Sequence, residues 1–232
     1  MASAASQATA STWSASAIGA TRLAGTPWRH CPVVRGVYIS AVHLGARLAK
    51  AGVSAHLLTL TSLVFAAAAA VAVTQGWFQV SAVLLIASGA CDLLDGIVAR
   101  AGATAGPFGA LLDSTVDRIA DGLPLLGLVV VYTGTGPAAA VPAAAMIGVF
   151  SVSYVRARAE ALDISLPPLF MRRPERVVLL VVALLLGNVE FTWLPILAPV
   201  TLAVVAGIGA ASLWAAVVTL RLARHACERR AE

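Results

Sequence analysis

Acid is the first thing this sequence lacks. No Asp or Glu occurs in its first 91 residues, and all 232 residues hold only 11 acids against 16 Lys and Arg. Charged residues make up 12% of the chain, where a soluble domain carries about 25%. That scarcity, set beside 59% hydrophobic residues, excludes an ordinary soluble globular domain. Cysteine is also sparse. Cys31, Cys91 and Cys227 have no CxxC spacing and no neighbouring His pattern, which excludes a zinc site or a disulfide framework. Cys91 reads as a packing residue. The net charge of +5 does not point to nucleic acid, because no aromatic-rich basic motif accompanies it. Residues 1–30 contain no long apolar run, which excludes a secretory signal peptide. Their Ala, Ser and Thr content reads as a disordered tail, with a weaker likeness to an organelle transit peptide.

Long apolar segments are abundant. Six can be drawn near 54–75, 77–99, 107–133, 137–161, 174–190 and 193–223, each read as a membrane span. Ala and Leu dominate them and no run alternates with period two, so they are helices. Segment 31–51 mixes apolar positions with Arg35, Arg47 and Lys50, which suits an amphipathic helix in the membrane interface. The expected architecture is therefore all-α: a polytopic membrane protein of six transmembrane helices behind an N-terminal interfacial helix. Its parts are a tail at 1–30, one membrane domain at 31–224 and a cytoplasmic C-terminal tail at 225–232. No internal repeat or linker to a second domain is visible.

Charge placement orients this array. With a cytoplasmic N-terminus, the external turns fall near 76, 135 and 191, and all 16 Lys and Arg lie on or near the cytoplasmic side. That is a positive-inside pattern. It predicts a cell (inner) membrane protein with both termini and the polar site in the cytoplasm, and a lipid bilayer as its partner.

The acids then arrive together. Asp92 and Asp95 close the second span, and Asp113 and Asp117 open the third. Carboxylates three or four residues apart share one helix face, so two adjacent antiparallel helices aim four of them at one spot. Uncompensated, they are very unfavourable near hydrocarbon. Hard divalent cations, Mg²⁺ or Mn²⁺, compensate them and suit a phosphate-bearing substrate. The competing explanation is structural pairing with Arg100 and Arg118, but two arginines do not easily silence four acids. Asp121 continues the row and reads as a partner for Arg118 or a pocket residue.

With its spacers the segment reads Asp92-x2-Asp95-Gly96-x2-Ala99-Arg100-x8-Gly109-x3-Asp113-x3-Asp117. This resembles the signature of the CDP-alcohol phosphatidyltransferases at all eight fixed positions, and the six-helix reading agrees with that family. The resemblance implies transfer of a phosphatidyl group from CDP-diacylglycerol to an alcohol, with release of CMP. It implies that Asp92, Asp95, Asp113 and Asp117 hold a two-metal site, with Asp117 also the general base. It places Gly96, Ala99, Arg100 and Gly109 around the CDP moiety, with Thr59 near the nucleotide, and it implies a homodimer. Physical chemistry fits these roles: Gly96 permits close approach to the backbone, and Arg100 can grip a diphosphate. For Gly109, helix packing is an equal alternative. His56 stands where many members carry Pro-Asp or Pro-Asn, so it faces the nucleotide or serves the helix start.

A second basic set follows: Ser153-Tyr154-Val-Arg156-Ala-Arg158, then Arg172-Arg173-Pro174-Glu175-Arg176, then Arg221. It is similar to segments of the phosphatidylinositol-phosphate and archaetidylinositol-phosphate synthases. By that likeness Arg156, Arg173 and Arg221 hold a polyol phosphate, with inositol 1-phosphate the leading acceptor; Arg158 and Arg176, in the same cytoplasmic layer, join the set. Glycerol 3-phosphate is the rival within the family, though its associated R-E-x5-R pattern is missing. An ion transporter is the rival outside it, but that reading expects acids through the bilayer midplane rather than at one end.

Overall fold

The computed structural model describes residues 31–102, 104–167, 169–187 and 198–231; the tail read at 1–30 lies outside them. Every regular element among the described residues is helical. Helix α1 spans Pro32–Lys50, α2 Ala55–Thr74, α3 Phe78–Ala101 and α4 Pro107–Tyr132. A 3₁₀ turn at Gly136–Ala139 leads into α5, Ala140–Ala161; α6 is Arg173–Leu185 and α7 is Pro199–Ala231. Local chemistry sets these boundaries. Pro32, Pro107 and Pro174 stand in the first turns of α1, α4 and α6, where the missing N–H has no helical partner to lose. Gly76 and Gly136 adopt positive φ at the two turns expected near 76 and 135, a conformation that glycine accepts without strain.

Among the described residues, four helices are long and apolar enough to cross a membrane: Ala55–Thr74, Phe78–Ala101, Gly136–Ala161 with its 3₁₀ lead-in, and Pro199–Arg229. The chain is an integral membrane protein. Two of the six expected spans fall outside that set for clear reasons. Helix α4 has the length, at 26 residues, but Asp113, Asp117, Arg118 and Asp121 interrupt its apolar run. Helix α6 has only 13 residues, and the end expected for this span, at 188–190, lies outside the described residues. Helix α7 continues through the segment read as a C-terminal tail from 225.

The bundle is built pairwise. Helix α2 packs on α3 and α4, α1 on α3, α4 and α7 on α5, and α6 bridges α3 and α7. The core joins Val73 of α2, Phe78 and Leu85 of α3, Leu128 and Tyr132 of α4, Val149 of α5, Leu184 of α6 and Val205 of α7. Outward positions such as Val64, Val83 and Ile147 are exposed and apolar, as lipid contact requires. Lipid tails are as apolar as Leu, so burial alone does not drive helices together, and small residues and polar links supply the contacts. Ser88 Oγ donates to Ser62 O at 2.8 Å, tying α3 to α2. Thr201 Oγ1 donates to Ala183 O at 2.8 Å, tying α7 to α6. A Cβ on Gly127 would stand 2.7 Å from Ala70 O, and one on Gly148 2.7 Å from Gly209 O, so α2–α4 and α5–α7 meet backbone to backbone. Tyr38, Val42 and Ile97 form a separate cluster that seats α1 on α3.

Gly127 therefore sets the separation of the two helices that carry Thr59 and the Asp113–Asp117 row. Gly127→Val should lower the thermal midpoint of the detergent-solubilised protein, with overpacking of about 1–3 kcal/mol. Gly207→Ala, where an added Cβ meets nothing within 4 Å, should leave the midpoint unchanged or raise it slightly. Equal melting of the two variants would contradict the close-contact account.

A candidate metal and phosphate site between two cavities

The acids converge as their spacing predicts. Oxygens of Asp92 and Asp95 from α3 and Asp113 from α4 lie within 4.8 Å of one another. Asp95 is buried, and its Oδ2 accepts a 2.6 Å hydrogen bond from Thr59 Oγ1 across the α2–α3 contact. That bond fixes the carboxylate's orientation. Asp117 stands one helical turn beyond Asp113 and outside this triad. Its Oδ1 lies 3.0 Å from Arg173 Nη1, yet it is buried and takes no hydrogen bond among the described residues. Hard oxygen donors gathered at this spacing fit one or two divalent cations.

Arginine reaches the acids from a direction not anticipated by the sequence. Arg173, at the start of α6, puts Nη1 2.5 Å from Asp92 Oδ2 and 3.0 Å from Asp117 Oδ1. Its Nε lies 3.3 Å from Asp121 Oδ1. The expected pairing of Asp121 with Arg118 gives way to a different one. Arg118 turns back to Ser114, donating to its backbone and side-chain oxygens. Asp121 takes Arg173 and Arg176, the latter at 2.6 Å, and it also lines a cavity.

Two cavities flank the acid row. The first, about 190 Å³, is lined by His56 and Thr59 of α2, Asp95, Gly96, Ala99 and Arg100 of α3, and Gly109 and Asp113 of α4. It gathers every residue expected around the CDP moiety. A Cβ on Gly109 would stand 3.4 Å from His56 Nε2, so glycine here keeps the floor clear. His56 also meets Phe108 edge-on, with ring centroids 5.8 Å apart. The second cavity, about 290 Å³, lies further along α4 and is walled by Asp117, Arg118, Asp121, Ser153, Arg156, Glu160, Arg172, Arg173 and Arg176. Arg156, Arg173 and Arg176 meet there as expected. Arg158 and Arg221 are exposed and do not line it. On a helix, residues two apart point to nearly opposite faces, so Arg156 at the cavity directs Arg158 away from it.

Two site features escaped the sequence reading. The Thr59–Asp95 bond joins residues 36 apart, and the Arg173 bridge joins α6 to α3 and α4. Neither has a local spacing signature.

Comparison with known proteins gives concordant matches. The CDP-alcohol phosphatidyltransferase family model matches residues 53–220. Archaetidylinositol phosphate synthase from Methanothermobacter thermautotrophicus is 38% identical over 142 residues, covering 60% of this chain and 70% of the relative. Phosphatidylinositol phosphate synthase from Mycobacteroides abscessus is 39% identical over 106 residues, 44% of this chain and 48% of the relative. Crystal structures of the Mycobacterium tuberculosis phosphatidylinositol phosphate synthase, one with CDP-DAG bound and one with manganese and citrate, align with TM-score 0.68 at 24% identity. They cover 79% of this chain and 92% and 88% of theirs. At that identity they establish a common fold.

The Thr59 bond yields a test independent of turnover. Thr59→Val removes the donor at nearly constant volume and should weaken Mn²⁺ binding roughly 10- to 100-fold, the usual effect of losing a partner that orients a metal ligand. Thr59→Ser should retain most of the affinity. Titration of Mn²⁺ monitored by electron paramagnetic resonance reads both variants, and unchanged affinity in Thr59→Val would remove the orienting role.

Proposed function

Because the chain belongs to the CDP-alcohol phosphatidyltransferase family, we propose that it transfers a phosphatidyl group from CDP-diacylglycerol to inositol 1-phosphate, releasing CMP. The observation that carries the acceptor is the charge of the larger cavity. Five arginines and three carboxylates line it, an excess of two positive charges that suits a phosphate dianion. The smaller cavity has the opposite balance, with Asp95 and Asp113 against Arg100, and suits a cation-bound diphosphate. The archaetidylinositol phosphate and phosphatidylinositol phosphate synthases among its relatives support the same acceptor class.

Each residue then has a physical task. Asp92, Asp95, Asp113 and Asp117 hold two divalent cations. Mg²⁺ or Mn²⁺ bound there offsets charge on the diphosphate and the departing CMP. Gly96, Ala99 and Gly109 leave room for the nucleotide, Thr59 keeps Asp95 in place, and Arg100 binds the diphosphate through charge-assisted bonds. Arg156, Arg173 and Arg176 bind the acceptor's phosphate. Asp117, between the two cavities, accepts the proton of the attacking hydroxyl. A new P–O bond forms to the acceptor as the bond to CMP breaks, and no covalent enzyme intermediate is required. The positive-inside pattern supports six spans, an interfacial α1, and a site facing the cytoplasm of a cell membrane, in one domain at 31–224. Family resemblance supports a homodimer.

An acceptor screen tests this reading. Purified protein with labelled CDP-diacylglycerol and Mg²⁺ or Mn²⁺ should release CMP with inositol 1-phosphate, and chelator should abolish the reaction. Release with glycerol 3-phosphate instead would move the acceptor but keep the chemistry. Asp117→Asn should abolish turnover while CDP-lipid binding survives. Arg156→Ala should raise acceptor KM roughly 10- to 150-fold, the loss of one charge-assisted contact of about 1.5–3 kcal/mol, with CDP-lipid KM nearly unchanged. An unchanged acceptor KM would leave Arg156 only a topological role.

A further inference from the structure

Asp121 lies outside the eight-residue signature, yet it is among the most enclosed acids of the site. Its side chain is 7% exposed, and its two oxygens are engaged separately, Oδ1 by Arg173 Nε at 3.3 Å and Oδ2 by Arg176 Nη2 at 2.6 Å. A carboxylate occupied in this way is a poor metal ligand. It also stands two helical turns from Asp113, the α4 member of the triad. Arg176 is held on further sides, with Nη1 donating to Met171 O at 2.7 Å and Nη2 also reaching Ser153 Oγ at 3.3 Å. Its Nε is buried with no hydrogen-bond partner among the described residues. Arg173 is equally committed, through Nε to Asp121 and through Nη1 to Asp92 and Asp117.

We propose that Asp121 is a positioning residue for the acceptor: it holds the guanidinium groups of Arg173 and Arg176 side by side in the wall of the arginine-rich cavity. The inference rests on the acceptor reading above. Two buried like charges repel, and each is strongly unfavourable without an anion nearby. One carboxylate shared by both removes the repulsion and fixes their separation before the acceptor arrives. A phosphate then meets a preorganised pair and binds without having to order two long side chains. Met171 O and Ser153 Oγ alone do not do this, since both hold Arg176 and neither holds Arg173. Ser153 and Asp121 approach Arg176 from α5 and α4, so the pair is also registered against the helix that bears Asp117. Displacement of Arg173 would therefore misalign the phosphate relative to the hydroxyl that Asp117 deprotonates.

The test uses full-length protein in detergent or nanodiscs. Asp121→Asn keeps the volume, removes the charge and turns an amide N–H₂ toward a guanidinium. It should raise KM for inositol 1-phosphate about tenfold or more, the scale of one lost charge-assisted bond. CDP-diacylglycerol KM should stay within about twofold. Asp121→Glu, which restores the charge one methylene further out, should recover part of the loss. Asp121→Asn combined with Arg176→Gln should lose little more than the worse single variant, because both remove the same contact. An unchanged acceptor KM overturns the proposal. So does a parallel rise in both KM values, or a lowered melting temperature with both KM values unchanged, since these mark a merely structural acid. Should Asp121→Asn not fold, Asp121→Glu carries the same comparison, and a selective rise in acceptor KM supports the proposal while its absence overturns it. Wild-type protein that releases no CMP with any phosphorylated polyol overturns the acceptor reading itself. Wild-type activity with an unaffected Asp121→Asn overturns this inference alone.

Discussion

Three carboxylates gather within 4.8 Å between α3 and α4, in a bundle with an apolar core, and the surrounding structure answers that concentration of negative charge. Coulomb repulsion at such separations is strong in a medium of low dielectric constant. Thr59 donates a hydrogen bond to the most buried acid. Arg173 lies across Asp92 and Asp117. The oxygen donors are of the kind that hard divalent cations select. The short α6, which interrupts the sequence of long apolar helices, brings two arginines against α4 at its first turn. Pro174 stands in that turn, and Glu175 accepts from the Arg172 N–H at 3.1 Å. The helix thus begins where the arginines are needed.

Helix α4 is the axis of the site. Residues Asp113, Asp117 and Asp121 recur every four positions and follow the slow drift of a 3.6-residue helix around its surface. That drift distributes them. Asp113 lines the smaller cavity, while Asp117 and Asp121 line the larger one. One helix face can therefore serve two reactants without a second domain. The polarity that does this also explains why α4, although long, lacks the apolar window of its neighbours.

How much of this was legible in the sequence depends on the distance between partners. The acid cluster was legible because i,i+3 and i,i+4 spacings on two consecutive helices translate directly into geometry. The turns at 76 and 135 were legible because polar, Gly-containing breaks punctuate apolar runs. The residues lining the smaller cavity were legible by family resemblance, and His56 and Gly109 meet there. The Arg173 bridge was not, because Asp92 and Arg173 are brought together only by the packing of α6 on α3. Of the two readings of Asp121, that of a pocket residue holds, whereas pairing with Arg118 gives way to two arginines that tertiary packing supplies. Arg158 entered the cavity set by proximity to Arg156, although helix periodicity turns neighbours two apart to opposite sides.

The opposite charge balance of the two cavities carries a consequence for the order of events. The larger cavity already holds an excess of positive charge, so an anionic acceptor lowers the local field energy when it enters. An uncharged alcohol of the same size would leave that excess uncompensated. The smaller cavity has an excess of carboxylate, and a bare diphosphate would be repelled until cations occupy the acids. On the proposed assignment, opposite fields draw donor and acceptor to the two cavities that share α4. On that assignment, discrimination between the two substrates rests on charge. It follows from which acids on α4 are answered by cations and which by arginines.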